Sequence, residues 1–229
     1  MPSALVTGGS SGIGLAIARM LRAEGFELTL ASRTQEKIEA AAGELGAQAV
    51  AANMGSEEDC IRVVAAHKER FGGLDVLVNS AGIGIGDSAE SLSAKHMDLQ
   101  IGVNLRGLLL VTREALPLLK SSRGWIINLA SIAGTEPTPS LLVYGATKAA
   151  VIAATRTLNA ELDGDGVRAI AICPGFVDTP MAQWSGLPGT EMIQPEDCAE
   201  VVRMCLKLSP HARIPQVIIE RVGSVDAVG

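Results

Sequence analysis

Short apolar runs rich in β-branched residues recur along the chain and alternate with longer stretches of amphipathic helical pattern. The short runs predict β-strands and the longer stretches predict helices. Strands that alternate with helices are joined by right-handed crossovers and pair in parallel. The pattern therefore predicts an α/β fold, a Rossmann-like, doubly wound parallel sheet of about seven strands with helices on both faces. The predicted strands cover residues 4–7, 27–31, 47–52, 76–79, 125–130, 168–173 and 216–219.

One long helical pattern, from residue 93 to residue 120, contains three residues that suit a helix interior poorly: Gly102, Asn104 and Gly107. We expect an irregularity at the middle of this helix, with a specific task for Asn104.

Regular periodicity fails between residues 176 and 194, where Pro and Gly interrupt the pattern. The segment follows the carboxyl end of a predicted strand, which is where ligands bind in open α/β sheets. A passive surface loop is the alternative, but this position favours a mobile substrate lid. Apolar residues that could line a substrate pocket, or could simply be core, are Ile83, Ile132, Phe176, Met181, Trp184 and Leu187.

Length and charge exclude several classes of function. The 229 residues suit one α/β domain, residues 1–229, better than two small domains. Lys and Arg total 19 against 25 Asp and Glu, and no basic run could follow a phosphate backbone, so we expect no nucleic-acid partner. Apolar stretches are far shorter than the roughly 20 residues that cross a bilayer, and no leader pattern begins the chain. We therefore expect no membrane association and a cytoplasmic location.

The cysteines and histidines give no sign of a metal site or a disulfide framework. No CxxC pair occurs, so we expect buried free thiols at Cys60, Cys173, Cys198 and Cys205. Polar surroundings without ligand spacing predict solvated surface positions for His67, His96 and His211.

The first predicted strand runs into a glycine-rich turn and then a helix, with the sequence Gly8-Gly9-Ser10-Ser11-Gly12-Ile13-Gly14. Backbone N–H groups and the positive helix end converge at such a turn, where a pyrophosphate can bind. A purely structural turn is the alternative, but the strand-turn-helix setting at the start of an α/β chain favours dinucleotide binding. A P-loop is excluded because no Gly-Lys-Ser/Thr follows.

The second predicted strand ends in Ser32 and Arg33, where an NAD-preferring site would usually place an acidic residue against the ribose hydroxyls. A guanidinium at this position is complementary to the 2′-phosphate of NADP. Arg33 could instead be a solvated loop charge. The charge complementarity favours NADP(H) over NAD(H).

Tyr144 and Lys148 lie four residues apart in a helical pattern, so their side chains share one face. A phenol titrates near pKa ~10, and a neighbouring ammonium together with an oxidised nicotinamide would lower that pKa. Tyr144 is therefore predicted to serve as an acid/base. Ser131 ends the fifth strand, where its hydroxyl could bind a substrate oxygen. No suitably placed histidine and no G-x-S-x-G elbow accompany Ser131, which argues against a hydrolase.

Taken together, these motifs resemble the short-chain dehydrogenases/reductases from residue 3 to about residue 208. The residues that match, in the family's order and approximate spacing, are Gly8, Gly12, Gly14, Asn79-Ser80-Ala81-Gly82, Asn104, Ser131, Tyr144, Lys148, Pro174-Gly175 and Thr179. The resemblance implies hydride transfer between NADP(H) and a small-molecule carbonyl or alcohol. It assigns proton donation to Tyr144, the substrate carbonyl to Ser131, the nicotinamide ribose to Lys148 and a proton-relay water to Asn104.

The resemblance also implies a set of cofactor contacts and an assembly. Arg33 falls where NADP-preferring members carry a basic residue, no metal is implied, and the chain is expected to form a homodimer or homotetramer through the helices near Asn104 and Tyr144. A helix face with Leu105, Leu109 and Thr112 would permit that packing. The implied cofactor-binding residues are Gly8, Ser10, Ser11, Gly12, Ile13, Gly14, Ser32, Arg33, Asn53, Met54, Asn79, Ala81, Gly82, Tyr144, Lys148, Pro174, Gly175, Val177 and Thr179.

Three departures from the family pattern and two other functions stay open. Asn53 stands where many relatives have an aspartate near the adenine, Ser80 replaces the second asparagine of Asn-Asn-Ala-Gly, and residues 220–229 differ from the usual Asp-Gly-Gly-type close. The far wall of the pocket and the contacts of the tail are therefore open. The alternatives are an inactive dinucleotide-binding regulator and a 3-ketoacyl-thioester reductase for a carrier-bound substrate, although no clear basic docking patch accompanies the latter.

Overall fold

The computed structural model of the protein describes residues 1–223, and the last six residues of the atypical tail lie outside that range. Its strands are β1 (Ser3–Thr7), β2 (Glu27–Ser32), β3 (Gln48–Ala51), β4 (Val76–Asn79), β5 (Trp125–Leu129), β6 (Arg168–Pro174) and β7 (Gln216–Ile219). All pair in parallel in the order β3-β2-β1-β4-β5-β6-β7. The predicted doubly wound α/β fold is confirmed, with each strand end within one residue of its predicted place.

Helices cover both faces of this sheet, as predicted. They are α1 (Gly12–Ala23), α2 (Gln35–Leu45), α3 (Glu57–Phe71), α4 (Ala94–Ile101), α5 (Leu108–Ser122), α6 (Leu142–Glu161) and α7 (Pro195–Leu206). One apolar cluster packs α1, α2 and α7 on one face of the sheet, while α3, α5 and α6 cover the other face. Within residues 1–223, no helix has both the length and the apolar character to cross a bilayer.

The strand order places a crevice at the centre of the sheet. The chain moves outward from β1 to β3 and then returns to build β4 on the other side of β1. Crossovers on the two sides of this point run to opposite faces, so the loops after β1 and β4 separate at their carboxyl ends. The glycine-rich turn follows β1, and the Ser80-Ala81-Gly82 segment follows β4.

The predicted irregularity in the long helix is a π-helical segment, Gly102–Gly107, that joins α4 to α5 without a break. Gly107 at its end meets the β3–α3 connection so closely that an added Cβ would lie 1.9 Å from the carbonyl oxygen of Met54. A side chain cannot fit there, so glycine is required. The segment places Asn104 inside the fold, where its side chain is 1% exposed.

One histidine prediction is wrong. His67 is fully buried rather than solvated, with Nδ1 2.9 Å from Thr29 Oγ1 and Nε2 2.9 Å from the Gly73 carbonyl oxygen. These partners come from β2 and the α3–β4 turn, so the local sequence could not reveal them. Burial lowers the pKa of His67 to about 4. His211 is exposed, His96 is partly exposed, and the four cysteines are buried free thiols as predicted.

Candidate active site

The turn after β1 is shaped for close backbone approach. Gly8 has a φ of +70° and its N–H donates to the Ala31 carbonyl oxygen at 2.8 Å. An added Cβ on Gly14 would lie 2.4 Å from the Gly8 oxygen, so Gly14 allows α1 to pack directly against the turn. Ser11 caps α1 without a side-chain hydrogen bond to the helix. The first N–H groups of α1 therefore face the crevice, in the arrangement that binds phosphate.

A groove of about 280 Å³ runs from this turn across the carboxyl ends of the strands. Most of the predicted cofactor residues line it: Gly8, Ser10, Ser11, Gly12, Ile13, Ser32, Arg33, Asn53, Met54, Ala81, Gly82 and Thr179. Ile83 and Met181, which were predicted as possible substrate-pocket residues, also line it. The lining residues that were not predicted are Thr34, Lys37, Ala52, Ser80, Val103 and Pro180. Lys37 had a recognisable signal, because it lies four residues after Arg33 at the start of α2.

Apart from Tyr144 and Lys148, five predicted cofactor residues do not line this groove and have structural contacts instead. Asn79 is buried and donates from Nδ2 to Thr112 Oγ1 at 3.1 Å and to Asn128 Oδ1 at 2.9 Å. Gly14 lies behind the turn, and the Gly175 N–H donates to the Ile219 carbonyl oxygen at 2.9 Å. Val177 packs with Ile193 and Cys198. Pro174 is the last residue of β6 and is also buried.

The predicted catalytic side chains meet where this groove ends. Lys148 is buried and its Nζ donates to the Leu129 carbonyl oxygen at 2.7 Å. The same Nζ lies 5.6 Å from the centre of the Tyr144 ring. A Cβ added to Gly82, which lines the groove, would lie 3.5 Å from both Lys148 Nζ and Asn104 Oδ1. A single residue, Gly82, therefore separates the groove from Lys148 and Asn104.

Asn104 is held in place by three hydrogen bonds. Its Oδ1 accepts from the Ile83 N–H at 2.8 Å, and its Nδ2 donates to the Ile83 carbonyl oxygen at 2.9 Å. Nδ2 also donates to Thr147 Oγ1 at 3.2 Å, and this hydroxyl in turn donates to the Tyr144 carbonyl oxygen at 2.7 Å. The π-helical segment, the loop after β4 and the start of α6 are thus joined through one side chain.

The electrostatic balance differs from the sequence-based expectation. Burial raises the pKa of the Tyr144 phenol, and the nearby Ser131 hydroxyl only partly opposes this effect. Burial also lowers the pKa of the Lys148 ammonium, to about 8. Loss of hydration is the largest cause of both pKa shifts, because Lys148 is buried and Tyr144 is half-buried beside it. Tyr144 is therefore a neutral phenol at pH 7, which is the form that can donate a proton.

Ser131 follows β5 in an extended conformation and caps a short 3₁₀-helix, Ile132–Gly134. Its Oγ accepts from the Ala133 N–H at 3.2 Å. This contact leaves the hydroxyl proton free for donation, because accepting a hydrogen bond uses only a lone pair. Ser131 therefore can orient an oxygen beside Tyr144. No group of three His, Cys, Asp or Glu side chains within the described 1–223 range could hold a metal ion.

The 176–194 segment forms a closed loop. Its ends are joined by hydrogen bonds from the Ile193 N–H to the Phe176 carbonyl oxygen at 3.0 Å and from the Asp178 N–H to the Ile193 carbonyl oxygen at 2.9 Å. Two 3₁₀-helices, Pro180–Ser185 and Gly189–Glu191, fill the loop. Met181 from this loop lines the nucleotide groove. The loop therefore closes one side of the site.

Comparison with known proteins decides the family, because the family model described as short chain dehydrogenase matches residues 2–186. The chain belongs to the short-chain dehydrogenase family. An uncharacterized oxidoreductase of Staphylococcus epidermidis is 38% identical to this short-chain dehydrogenase over 222 residues, which are 96% of each chain. An uncharacterized oxidoreductase of Staphylococcus aureus is 36% identical over 223 residues, again 96% of each.

Solved structures show the same fold in related enzymes. An alcohol dehydrogenase from the archaeon Thermococcus sibiricus, complexed with 5-hydroxy-NADP, has a TM-score of 0.90 and 33% identity, with 97% of each chain covered. A 3-ketoacyl-(acyl-carrier-protein) reductase from Brucella melitensis, complexed with NADH, has a TM-score of 0.89 and 32% identity, with 96% of each chain covered. This short-chain dehydrogenase is accordingly an oxidoreductase of a family that binds NAD(P)(H).

Proposed function

We propose that this short-chain dehydrogenase is an NADP(H)-dependent oxidoreductase that interconverts a small carbonyl compound and its alcohol. The observation that carries the proposal is the position of Gly82, which lines the nucleotide groove and lies against both Lys148 and Asn104. A dinucleotide in that groove would end beside Tyr144. The cofactor-binding and catalytic residues predicted from sequence are therefore proposed to form one continuous site.

The groove has the features that a dinucleotide requires. The backbone turn at Gly8 and the N-terminus of α1 offer N–H groups to a pyrophosphate. The Ser32 hydroxyl is buried, lines the groove and has no hydrogen-bond partner within residues 1–223. A buried hydroxyl without a partner is costly, so a ribose or phosphate oxygen is a suitable ligand for it. The bound cofactor supplies the hydride or accepts it.

The preference for NADP(H) is supported by two cations at the same end of the groove. Arg33 follows β2, and Lys37 lies one helical turn further, in the first turn of α2. Both side chains are exposed, and the N-cap residue Thr34 makes no side-chain cap bond. Two positive charges at a helix N-terminus are complementary to a 2′-phosphate. The Thermococcus and Brucella structures carry NADP-type and NADH cofactors respectively, so the charges of this chain are the basis for the preference.

Four side chains each have one role in the proposed carbonyl reduction. The neutral Tyr144 phenol donates its proton to the substrate oxygen, while the Ser131 hydroxyl donates a hydrogen bond to the same oxygen. Lys148 places a positive charge beside the phenolate that results. Asn104 Oδ1 has a second lone pair for a relay water, because the Ile83 N–H uses only one. Oxidation of an alcohol would use these groups in reverse.

Substitution of Tyr144 by Phe tests this proposal directly. The ring and its contacts are kept, while the transferable proton is removed. NADPH oxidation against a panel of aldehydes and ketones should fall to background, and NADPH affinity from fluorescence titration should stay within about twofold. Turnover near the wild-type rate in Tyr144→Phe would refute the mechanism. A wild-type protein that binds NADPH but reduces no carbonyl would instead support the regulator alternative.

A carrier-bound 3-ketoacyl thioester is a second candidate substrate because of the similarity to the Brucella 3-ketoacyl-(acyl-carrier-protein) reductase. The chemistry at Tyr144 would be the same. A formal charge of −6 gives this chain little attraction for an acidic carrier protein. Rates with a free ketone and with a 3-ketoacyl thioester, measured side by side, distinguish the two.

We further propose that the 176–194 segment is a substrate lid. It follows β6 at the carboxyl edge of the sheet and places Met181 in the nucleotide groove. Its exposed aromatic residues, Phe176 and Trp184, are 38% and 66% accessible, although most large apolar side chains in the fold are buried. A lid that closes over a bound substrate would cover them.

We also propose that copies of the chain form a homodimer or homotetramer through the outer side of α4 and α5. A shallow apolar recess of about 360 Å³ lies there, lined by Ile101, Leu105, Arg106, Leu109, Leu110 and Arg113. Thr112 does not belong to this surface as predicted, because it is buried and its hydroxyl donates to the Leu108 carbonyl oxygen. Exposed leucines at a recess are typical of a protein–protein contact.

A cytoplasmic location is the proposal that fits the cysteines. All four are free thiols, and none is exposed. Free cysteines suit a reducing compartment, whereas exported domains more often form disulfides. Localisation of the tagged protein by cell fractionation tests the proposal.

A further inference from the structure

Gly84 lies between the ring of Tyr144 and the side chain of Met181. A Cβ added to Gly84 would lie 3.7 Å from Met181 Sδ and 3.7 Å from both Cδ2 and Cε2 of Tyr144. These are ordinary van der Waals distances, so one methyl group would touch both neighbours without strain. Gly84 is itself exposed to solvent. An open slot about one methyl group wide therefore lies between Met181 and the edge of the Tyr144 ring.

The backbone at this position does not require glycine. Gly84 lacks the positive φ that excludes other residues, in contrast to Gly8 and Gly12. The space that the missing side chain leaves is therefore its main contribution.

The loop that carries Gly84 is fixed on both sides. The Ile83 backbone is held by Asn104, and the Ile85 N–H donates to Gln100 Oε1 at 3.1 Å. Both partners are buried side chains of the long helix. The backbone at the base of the slot is consequently anchored on both sides of Gly84.

The walls of the slot are apolar. One wall is the Tyr144 ring, and the other is the Met181 thioether, a flexible and polarizable group that adapts to the shape of a ligand. The segment that carries Met181 also presents Phe176 and Trp184, whose rings meet edge-to-face with centroids 5.9 Å apart. A chain with three Phe, two Trp and one Tyr thus has three of these six aromatic residues at this site or on its lid. Such surfaces favour an uncharged apolar substituent over a charged one.

We infer that Gly84 is a specificity-determining residue that admits aldehydes and ketones with a narrow, uncharged apolar substituent, such as an unbranched alkyl chain, beside Tyr144. This inference rests on the proposed carbonyl reduction. Substituent size is selected at residue 84, whereas the carbonyl oxygen is recognised by Tyr144 and Ser131.

The test compares two aldehydes that differ in chain length, hexanal and propanal, with NADPH as the reductant. In Gly84→Ala, kcat/KM for hexanal should fall about tenfold or more, because the added methyl group fills the slot and one methylene in a fitted pocket changes selectivity by that order. The value for propanal should stay within about threefold. Gly84→Val should enlarge the difference. Gly86→Ala is the matched control, because its added Cβ meets only the Ser140 carbonyl oxygen, at 3.5 Å, and it should leave the ratio unchanged.

Equal losses for the two aldehydes, or an unchanged ratio in both Gly84 variants, would overturn the inference. Melting temperature and NADPH affinity identify any loss that comes from misfolding. A binding experiment separates this result from the proposed function. Hexanal should quench Trp184 fluorescence at lower concentration in wild type than in Gly84→Val, and Trp184→Phe identifies Trp184 as the reporter. Binding without turnover would count against carbonyl reduction while supporting the slot. Identical binding by wild type and Gly84→Val would count against the slot.

Discussion

Asn104 holds the backbone of Ile83 with a reciprocal pair of hydrogen bonds, one to its N–H and one to its carbonyl oxygen. The loop between Gly82 and Gly84 is thereby tied to the π-helical segment. Asn104→Ala would leave two partly buried backbone groups without partners, at a cost of about 1–3 kcal/mol in the free energy of unfolding. Displacement of this loop by about 1 Å would lower kcat by about 100-fold.

Gln100→Ala is the control for the Asn104 prediction. Gln100 holds the same loop through the Ile85 N–H, and within residues 1–223 it forms no hydrogen bond with a predicted catalytic side chain. Urea unfolding should show that the free energy of unfolding falls by a similar amount in the two variants, whereas kcat should fall much further in Asn104→Ala. Equal effects on kcat would mean that Asn104 serves only the fold.

Cofactor preference should depend on Arg33 and Lys37. Arg33→Asp removes a charge-assisted contact worth about 1.5–3 kcal/mol, so NADPH affinity should fall about 10- to 100-fold. NADH affinity should change by less than about threefold. Lys37→Glu should act in the same direction, and Lys68→Glu at the far end of α3 controls for overall charge. Fluorescence titration measures the affinity for each cofactor. Equal losses of affinity for NADPH and NADH would contradict the assignment of Arg33 to the 2′-phosphate.

The pH dependence of carbonyl reduction should report the charge of Lys148. Burial lowers the pKa of this ammonium to about 8, so the charge that stabilises the Tyr144 phenolate is present below that pH and is lost above it. We expect kcat/KM to decline as pH rises through about 8. Lys148→Arg, whose guanidinium stays charged, should move the decline to higher pH in any fraction that folds. A flat profile between pH 7 and pH 10 in the wild type would contradict this prediction.

His67 should make the fold sensitive to acid. Its pKa is about 4 in the folded state against 6.5 as the ordinary value, so the unfolded chain binds a proton more readily. Stability is complete above pH 6.5 and falls as pH decreases toward 4, by about 3 kcal/mol. Urea unfolding at pH 7 and pH 4.5 measures the loss. His67→Gln should be less stable at pH 7, but its free energy of unfolding should depend less on pH. An equal pH dependence in wild type and His67→Gln would exclude His67 as the cause of the acid sensitivity.

The proposed association through α4 and α5 should be sensitive to charge at Leu109. Leu109 is 41% exposed and lines the apolar recess. Leu109→Glu should shift the mass measured by light scattering toward that of one chain, because a carboxylate buried at an interface is costly. Lys120→Glu on the same helix, outside the recess, is the control. A single-chain mass for the wild type at micromolar concentration would contradict the prediction.

Much of the fold follows from local sequence because its determinants are local. The strands β1, β4 and β5 are short apolar runs with defined ends, and their parallel order follows from the helices between them. Gly102 and Gly107 indicated where the long helix departs from regular geometry. The closeness of Gly107 to Met54 could not be predicted, because it joins segments far apart in the chain.

The candidate site was predictable where residue type alone carries the chemistry, and less so where burial decides it. Arg33 and Tyr144 were recognised by charge and by spacing. The raised pKa of Tyr144 was not, since it depends on how deeply the phenol is buried. The approach of Met181 to Gly84 also required coordinates, because nothing in a sequence shows that a residue of the 176–194 segment faces a glycine after another strand.

Because of the π-helical segment, α4 and α5 form one continuous helix whose two parts present their side chains at different angles around the axis. A π turn accommodates an extra residue relative to an α turn, so the angular phase of α5 is offset from that of α4. Deletion of a single residue between 102 and 107 would restore regular winding and rotate α5 by about 100° relative to α4. Either Asn104 would then leave Ile83, or Leu109 would leave the outer recess. The position of Asn104 inside and the apolar recess outside thus depend on the same extra residue, so a change in the winding of this helix cannot preserve both.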